Sequence, residues 1–141
     1  MGQTRFATGR QLDLICLGRL GVDLYAQQVG ARLEDVSSFA KYLGGSSANI
    51  AFGTARLGLR SAMLSRVGDD HMGRFLVESL AREGCDVSAI KRDPERLTAM
   101  VLLGLKDRET FPWCSTAKIA PTWLCAPRTS TNSRSRRARR C

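Results

Sequence analysis

Gly44-Gly45-Ser46-Ser47-Ala48-Asn49 is the stretch of this chain whose residue types and spacing suit ligand binding. Adjacent glycines ahead of a helix let the main chain come into contact with another group, and the amides freed at a helix N-terminus suit an anion or a hydroxyl-rich molecule. Asn49, in the first turn, adds a donor and an acceptor. Each feature also has a plain structural reading. A glycine pair closes a tight turn, and an early Asn caps a helix. Asp23 alone reads as a solvated turn carboxylate, and Lys41 as an exposed strand lysine. His71, the single histidine, follows two acids at a helix start and reads as a surface residue.

Strands and helices must hold these residues. Leu12 to Gly18 is a nearly continuous apolar run stopped by glycine, the pattern of a first central strand buried on both faces of a parallel sheet. Val22 to Tyr25 and Ser38 to Leu43 look extended, with polar residues among the apolar ones, as in a partly separate lid open to water on one side. Ser46 or Ser47 would cap a helix over Ala48 to Leu57, with Gly58 at its C-terminal end. Ala62 to Gly68 follows as a strand. Asp69 or Asp70 then caps a helix with Phe75, Leu76, Ser79 and Leu80 on one face, ending at Gly84. Val87 to Ile90 is a possible third strand. Thr98 to Leu105 is strand-like, and Lys106 to Glu109 should turn the chain toward a partner strand near Phe111. Alternating strands and helices argue for right-handed crossovers and a doubly wound α/β sheet.

Gly44-Gly45, Asn49, Ala55-Arg56-Leu57-Gly58 and Arg66-Val67-Gly68-Asp69-Asp70 with Gly73, in this order, resemble the first signature of the PfkB (ribokinase-like) carbohydrate kinases. The resemblance runs from about Leu12 through Pro112. Leu12 to Arg19, Val22-Asp23-Leu24-Tyr25, Phe39-Ala40-Lys41-Tyr42 and Arg92 to Thr98 look most like the 5-dehydro-2-deoxygluconokinases of inositol catabolism; 2-keto-3-deoxygluconate kinases share the scaffold. The resemblance implies a ribokinase-like, Rossmann-like sheet with a small β lid, present as its N-terminal half. It also implies that Asp23, at the end of the first strand, accepts hydrogen bonds from substrate hydroxyls, that Gly44 and Gly45 hinge the lid, and that Asn49 holds the sugar. Lys41 would neutralise the carboxylate of a sugar acid. Family members use ATP and Mg²⁺ and often dimerise through the lid. Ser47 departs from the family, which usually has proline or a small apolar residue there, and would loosen the start of the helix. The family's aspartate base lies in a GAGD-like turn that this sequence lacks. No catalytic residue, nucleotide site or metal site is therefore expected in these 141 residues, and the chain alone should be inactive.

Composition changes after Pro112. Residues 1–112 hold 15 Lys and Arg against 13 Asp and Glu, whereas residues 113–141 hold seven basic residues and no acid. Most of the net charge of +9, namely +7, therefore sits in the tail. Residues 1–10 read as a flexible N-terminus, 11–112 as the kinase part and 113–141 as a disordered basic tail without a partner for the Thr98–Leu105 strand. A shifted frame after Pro112 permits LVFYRENCADMALCAEDIDE, which has the acids and the hairpin strand that the tail lacks. A one-base deletion near the Pro112 codon is the expectation, and a nucleic-acid-binding role for the five arginines of 134–140 is the alternative. A non-catalytic sugar-binding fragment is another. No run approaches the roughly 20 apolar residues that span a bilayer, and no apolar signal core is present, so a cytoplasmic protein with no membrane partner is expected. Cys16 and Cys85, without metal or disulfide spacing, read as buried thiols. Half a sheet should also expose strand edges and fold poorly alone.

Overall fold

The structure is a computed structural model and describes residues 9–107, 109–117 and 120–121. Its strands form two sheets. The first joins β1 (Leu14–Leu17), β4 (Ser61–Gly68) and β5 (Ile90–Asp93) in the order β1-β4-β5, all parallel. The second joins β2 (Gly21–Ala26), β3 (Phe39–Gly44), β6 (Ala99–Leu103) and β7 (Trp113–Ser115) in the order β3-β2-β6-β7, with β2 antiparallel to β3 and parallel to β6. Parallel neighbours need crossovers, and helices supply them. Helix α1 (Ser46–Arg56) precedes β4, and α2 (His71–Arg82) links β4 to β5.

Both helices end where glycine permits a left-handed residue. Gly58 (φ 89°) follows α1 and Gly84 (φ 82°) follows α2. The helices bury Ala48, Ala51 and Ala55 from α1, and Leu76 and Leu80 from α2, against Cys16, Met63 and Val67 of the parallel sheet and Val22 of the second sheet. Small alanines on α1 let its axis lie close to the strands. Cys16 and Cys85 are free and buried in this core, and burial pushes both thiols up. On the opposite face of the parallel sheet, Ile15 and Leu17 are each 62% exposed and Leu64 is 36% exposed. Parallel sheets are ordinarily covered on both faces, and this one has its apolar cover on one. No helix of the described residues is long and apolar enough to cross a membrane.

Several boundaries differ from the sequence reading. Val87 to Ile90 is not the third strand: Asp86 makes an isolated bridge to Ala62, its carboxylate accepts the Ser88 amide at 2.8 Å, and the strand starts at Ile90. Neither Ser46 nor Ser47 caps α1, whose N-cap is Gly45 with no side-chain hydrogen bond. The Ser47 hydroxyl instead donates to the Leu17 carbonyl at 3.1 Å, tying the start of α1 to the end of β1. The chain also stays in the fold past Pro112. Trp113–Ser115 forms β7, antiparallel to β6 in the register Leu103↔Trp113 and Val101↔Ser115, and Ala117 and Ala120 are buried with Ala99. The strand over 99–103 therefore has a partner within the first residues of the expected tail. Residues 122–141, including the arginine run, lie outside the described residues.

A polar knot fastens the two sheets where β4 ends. Asp70 caps α2 by accepting the Gly73 amide at 2.8 Å, and it also accepts the Thr98 amide at 2.7 Å and the Thr98 hydroxyl at 2.9 Å. Thr98 Oγ1 in turn accepts the Gly68 amide at 3.0 Å. Gly68 and Gly73 have no room for side chains here: a Cβ at Gly68 would press on the Arg96 carbonyl and the Thr98 amide, and one at Gly73 on the Gly68 carbonyl. Thr98→Val keeps the side chain's shape but strips both hydroxyl bonds from a buried site. It is expected to destabilise the chain by about 1–3 kcal/mol, read by urea unfolding.

Candidate sugar site

Asp23 lies in the middle of β2, so it belongs to the lid sheet rather than to the end of the first strand. The pairings Asp23↔Tyr42 and Asp23↔Val101 place it between an antiparallel and a parallel neighbour. Its side chain is half-buried and receives no hydrogen bond among the described residues. Burial pushes its carboxyl above the usual carboxylate range, and the positive charge of Arg19 partly offsets that rise. A half-buried carboxylate without a donor is costly unless something supplies one. A ligand hydroxyl can.

The glycine pair shapes the floor of the site. Gly44 is buried, and a Cβ there would collide with the Asp23 carboxyl group. Gly45, with φ 101° and ψ 133°, turns the chain from β3 into α1, and a Cβ there would collide with the Arg19 carbonyl. The two glycines therefore press main chain against Asp23 on one side and Arg19 on the other. Asn49 follows in the first turn of α1, where its amide donates to the Gly45 carbonyl at 2.9 Å and its exposed side chain makes no hydrogen bond among the described residues. With no side chain capping the helix, its first amides are open to a ligand.

Lys41 does not join this group. Side chains alternate along a strand, and the register Leu24↔Lys41 puts Lys41 on the face opposite Asp23. Its ammonium sits over the Phe75 ring of α2, 3.9 Å from the centroid, so it serves as packing between the lid and α2. The sequence reading missed Tyr25 and Tyr42, which share the face of Asp23 and meet edge to face with centroids 5.6 Å apart and planes at 83°. Tyr42 remains 54% exposed, giving an apolar ring face beside a carboxylate, which suits the alternating C–H and O–H surfaces of a sugar. The alternation of β3 held that signal, but assigning a face to Tyr42 needs the partner strand. His71 is exposed, with Nδ1 3.0 Å from an Arg74 guanidinium nitrogen, away from the site.

Gly44→Ala is expected to displace the Asp23 carboxyl and abolish binding of any ligand held by it, read by calorimetry, since the new methyl and the carboxyl cannot share one space.

The described residues do not assemble a site for ATP and Mg²⁺. No three His, Cys, Asp or Glu side chains among the described residues converge as a cation site. Next to the glycine pair at the open helix start lie the Asp23 carboxyl group and Arg19, one positive side chain against the charge of a triphosphate.

Comparison with known proteins gives a consistent match. The model of the pfkB family carbohydrate kinases matches residues 11–115. The 5-dehydro-2-deoxygluconokinase of Geobacillus thermodenitrificans (strain NG80-2) is 46% identical over 88 residues, which are 62% of this chain and 26% of that protein. A sugar kinase from Pyrococcus horikoshii in complex with ATP superposes with a TM-score of 0.71 at 34% identity, covering 76% of this chain and 35% of that one. Fructokinase from Halothermothrix orenii superposes with a TM-score of 0.68 at 33% identity, covering 74% and 37%. The chain thus spans about a quarter of the curated relative and about a third of the solved kinases.

Proposed function

This chain belongs to the pfkB family of carbohydrate kinases, and from that premise we propose that it forms the sugar-binding part of an ATP-dependent kinase for a sugar acid, 5-dehydro-2-deoxygluconate. The observation that carries the reading is the Asp23 carboxylate, half-buried, without a donor among the described residues and held against the bare main chain of Gly44. It would accept hydrogen bonds from two substrate hydroxyls, orienting the sugar while the lid strands β2 and β3 cover it. Asn49 and the open amides at the start of α1 would hold the far side. Gly45 is the hinge at which the lid meets α1. When bound, ATP would supply the phosphoryl group and Mg²⁺ would neutralise its charge. The residues here bind and orient the acceptor.

Named relatives support the sugar acid in particular. The Geobacillus protein and those of Shouchella clausii and Clostridium tetani, at 42–46% identity, bear the name 5-dehydro-2-deoxygluconokinase. The test is titration calorimetry of the 141-residue chain with 5-dehydro-2-deoxygluconate, paired with an ATP-dependent phosphorylation assay. Saturable binding without turnover is expected. Absence of binding would refute the sugar site, and turnover by the chain alone would refute the assignment of transfer to groups outside it.

A further inference from the structure

We infer that Arg19, and not Lys41, is the residue that receives the substrate's carboxylate and makes this site prefer a sugar acid over a neutral sugar. The inference rests on the sugar-binding reading above and deepens it. A sugar acid needs a cation on the same side as the groups that bind its hydroxyls. The strand register sends Lys41 to the other face of the lid, onto Phe75.

Arg19 stands on the site side. It follows Gly18, whose φ of 146° turns the chain out of β1 beside Ser47 at the start of α1. Its carbonyl lies against Gly45, the second residue of the pair whose first member lies against Asp23. Its side chain is exposed and makes no ion pair or hydrogen bond among the described residues. Eight other arginines lie among residues 32–96, and seven of them (Arg32, Arg56, Arg60, Arg66, Arg74, Arg92 and Arg96) are held by a carboxylate within hydrogen-bonding or ion-pair distance. The charge of Arg19 is also felt by the Asp23 carboxyl, which it draws down against burial. An unengaged, planar, permanently charged guanidinium next to a hydroxyl-binding carboxylate matches the two ends of a sugar acid, and its fork can bind a carboxylate through two parallel N–H bonds.

The test compares two ligands, 2-deoxygluconate and its neutral analogue 2-deoxyglucose, by titration calorimetry on the full chain and on Arg19→Gln, Arg19→Lys and Lys41→Gln. Arg19→Gln is expected to weaken the acid roughly tenfold or more while leaving the neutral sugar unchanged, with Arg19→Lys intermediate. Lys41→Gln should leave the acid-to-neutral ratio as it is. A fall in both ligands together, or a ratio that moves with Lys41 and not Arg19, would overturn the inference while leaving the sugar site standing. If neither ligand binds the wild-type chain, both readings fall. A second measurement needs no ligand: the Asp23 pKa followed by NMR should rise in Arg19→Gln, and an unchanged value would show that Arg19 does not address the site.

Discussion

Asp23→Asn is expected to bind the sugar acid roughly 10- to 100-fold more weakly than wild type, which is the loss of one or two hydrogen bonds to a charged acceptor. The same variant is expected to be at least as stable as wild type near neutral pH. The sign follows from the direction of the shift. Burial raises the folded-state pKa of Asp23 above its unfolded value, so the folded chain holds that proton more tightly than the unfolded chain does. The favourable contribution is complete below the unfolded pKa, about 4, and is lost as pH rises through the folded pKa. Above that window the ionised carboxylate opposes folding, softened by Arg19 and by residual solvent contact. Asparagine keeps the shape and removes the charge. Thermal unfolding of the two proteins at pH 4 and pH 7 checks this: their difference should favour the variant more at pH 7. A variant that binds normally, or one that is less stable at pH 7 than at pH 4 relative to wild type, would remove Asp23 from the sugar site.

That opposition between binding and stability explains why the carboxylate could not be judged from sequence alone. An aspartate in an alternating strand is equally compatible with solvent and with a ligand. What separates the two is the buried main chain of Gly44 against it, a contact between adjacent strands. The elements themselves were legible where one local pattern decided them. The apolar run of β1 and the Asp70 to Gly84 frame of α2 are such cases. Val87 to Ile90 misled because three apolar residues in four resemble a strand, while the real strand, Ile90–Asp93, carries Lys91 and Arg92 exposed at the sheet's edge. Lys41 misled for a related reason. With a period of two, the face of every residue on β3 depends on its register with β2, and register is a property of the pair. Arg19 lay inside a stretch read as motif, yet only the contact of its carbonyl with Gly45, far along the chain, shows which site it borders.

Asp70→Ala is expected to cost about 2–4 kcal/mol, more than Thr98→Val, since the Asp70 carboxylate bonds to both Gly73 and Thr98. Sequence reading assigns it a helix cap, worth about 1 kcal/mol. The structure adds both Thr98 bonds, 28 residues along the chain, which join the start of α2 to the start of β6 and so hold one sheet to the other. Truncation leaves the Gly73 and Thr98 amides without their acceptor in a part-buried setting, and the partial exposure keeps the cost below that of a fully buried charge. Burial alone would raise the Asp70 pKa, but the bonds from Thr98 and Gly73 outweigh it and lower the carboxyl below its ordinary range. The sign is thus opposite to that of Asp23: the stabilisation is present above the unfolded pKa and is lost as pH falls through the folded one. Urea unfolding at pH 7 should show the full gap between wild type and Asp70→Ala, and the gap should narrow below about pH 4. A gap that stayed constant down to pH 2 would mean that the Asp70 charge contributes nothing to the knot and that its side chain acts through shape. Because Gly68, Gly73, Asp70 and Thr98 close on one another without reaching the Asp23 site, the second half of the family signature is a device for fixing the lid's parallel strand β6 to the nucleus of α2 and β4. The first half, Gly44, Gly45 and Asn49, borders the Asp23 carboxyl and the open start of α1 instead.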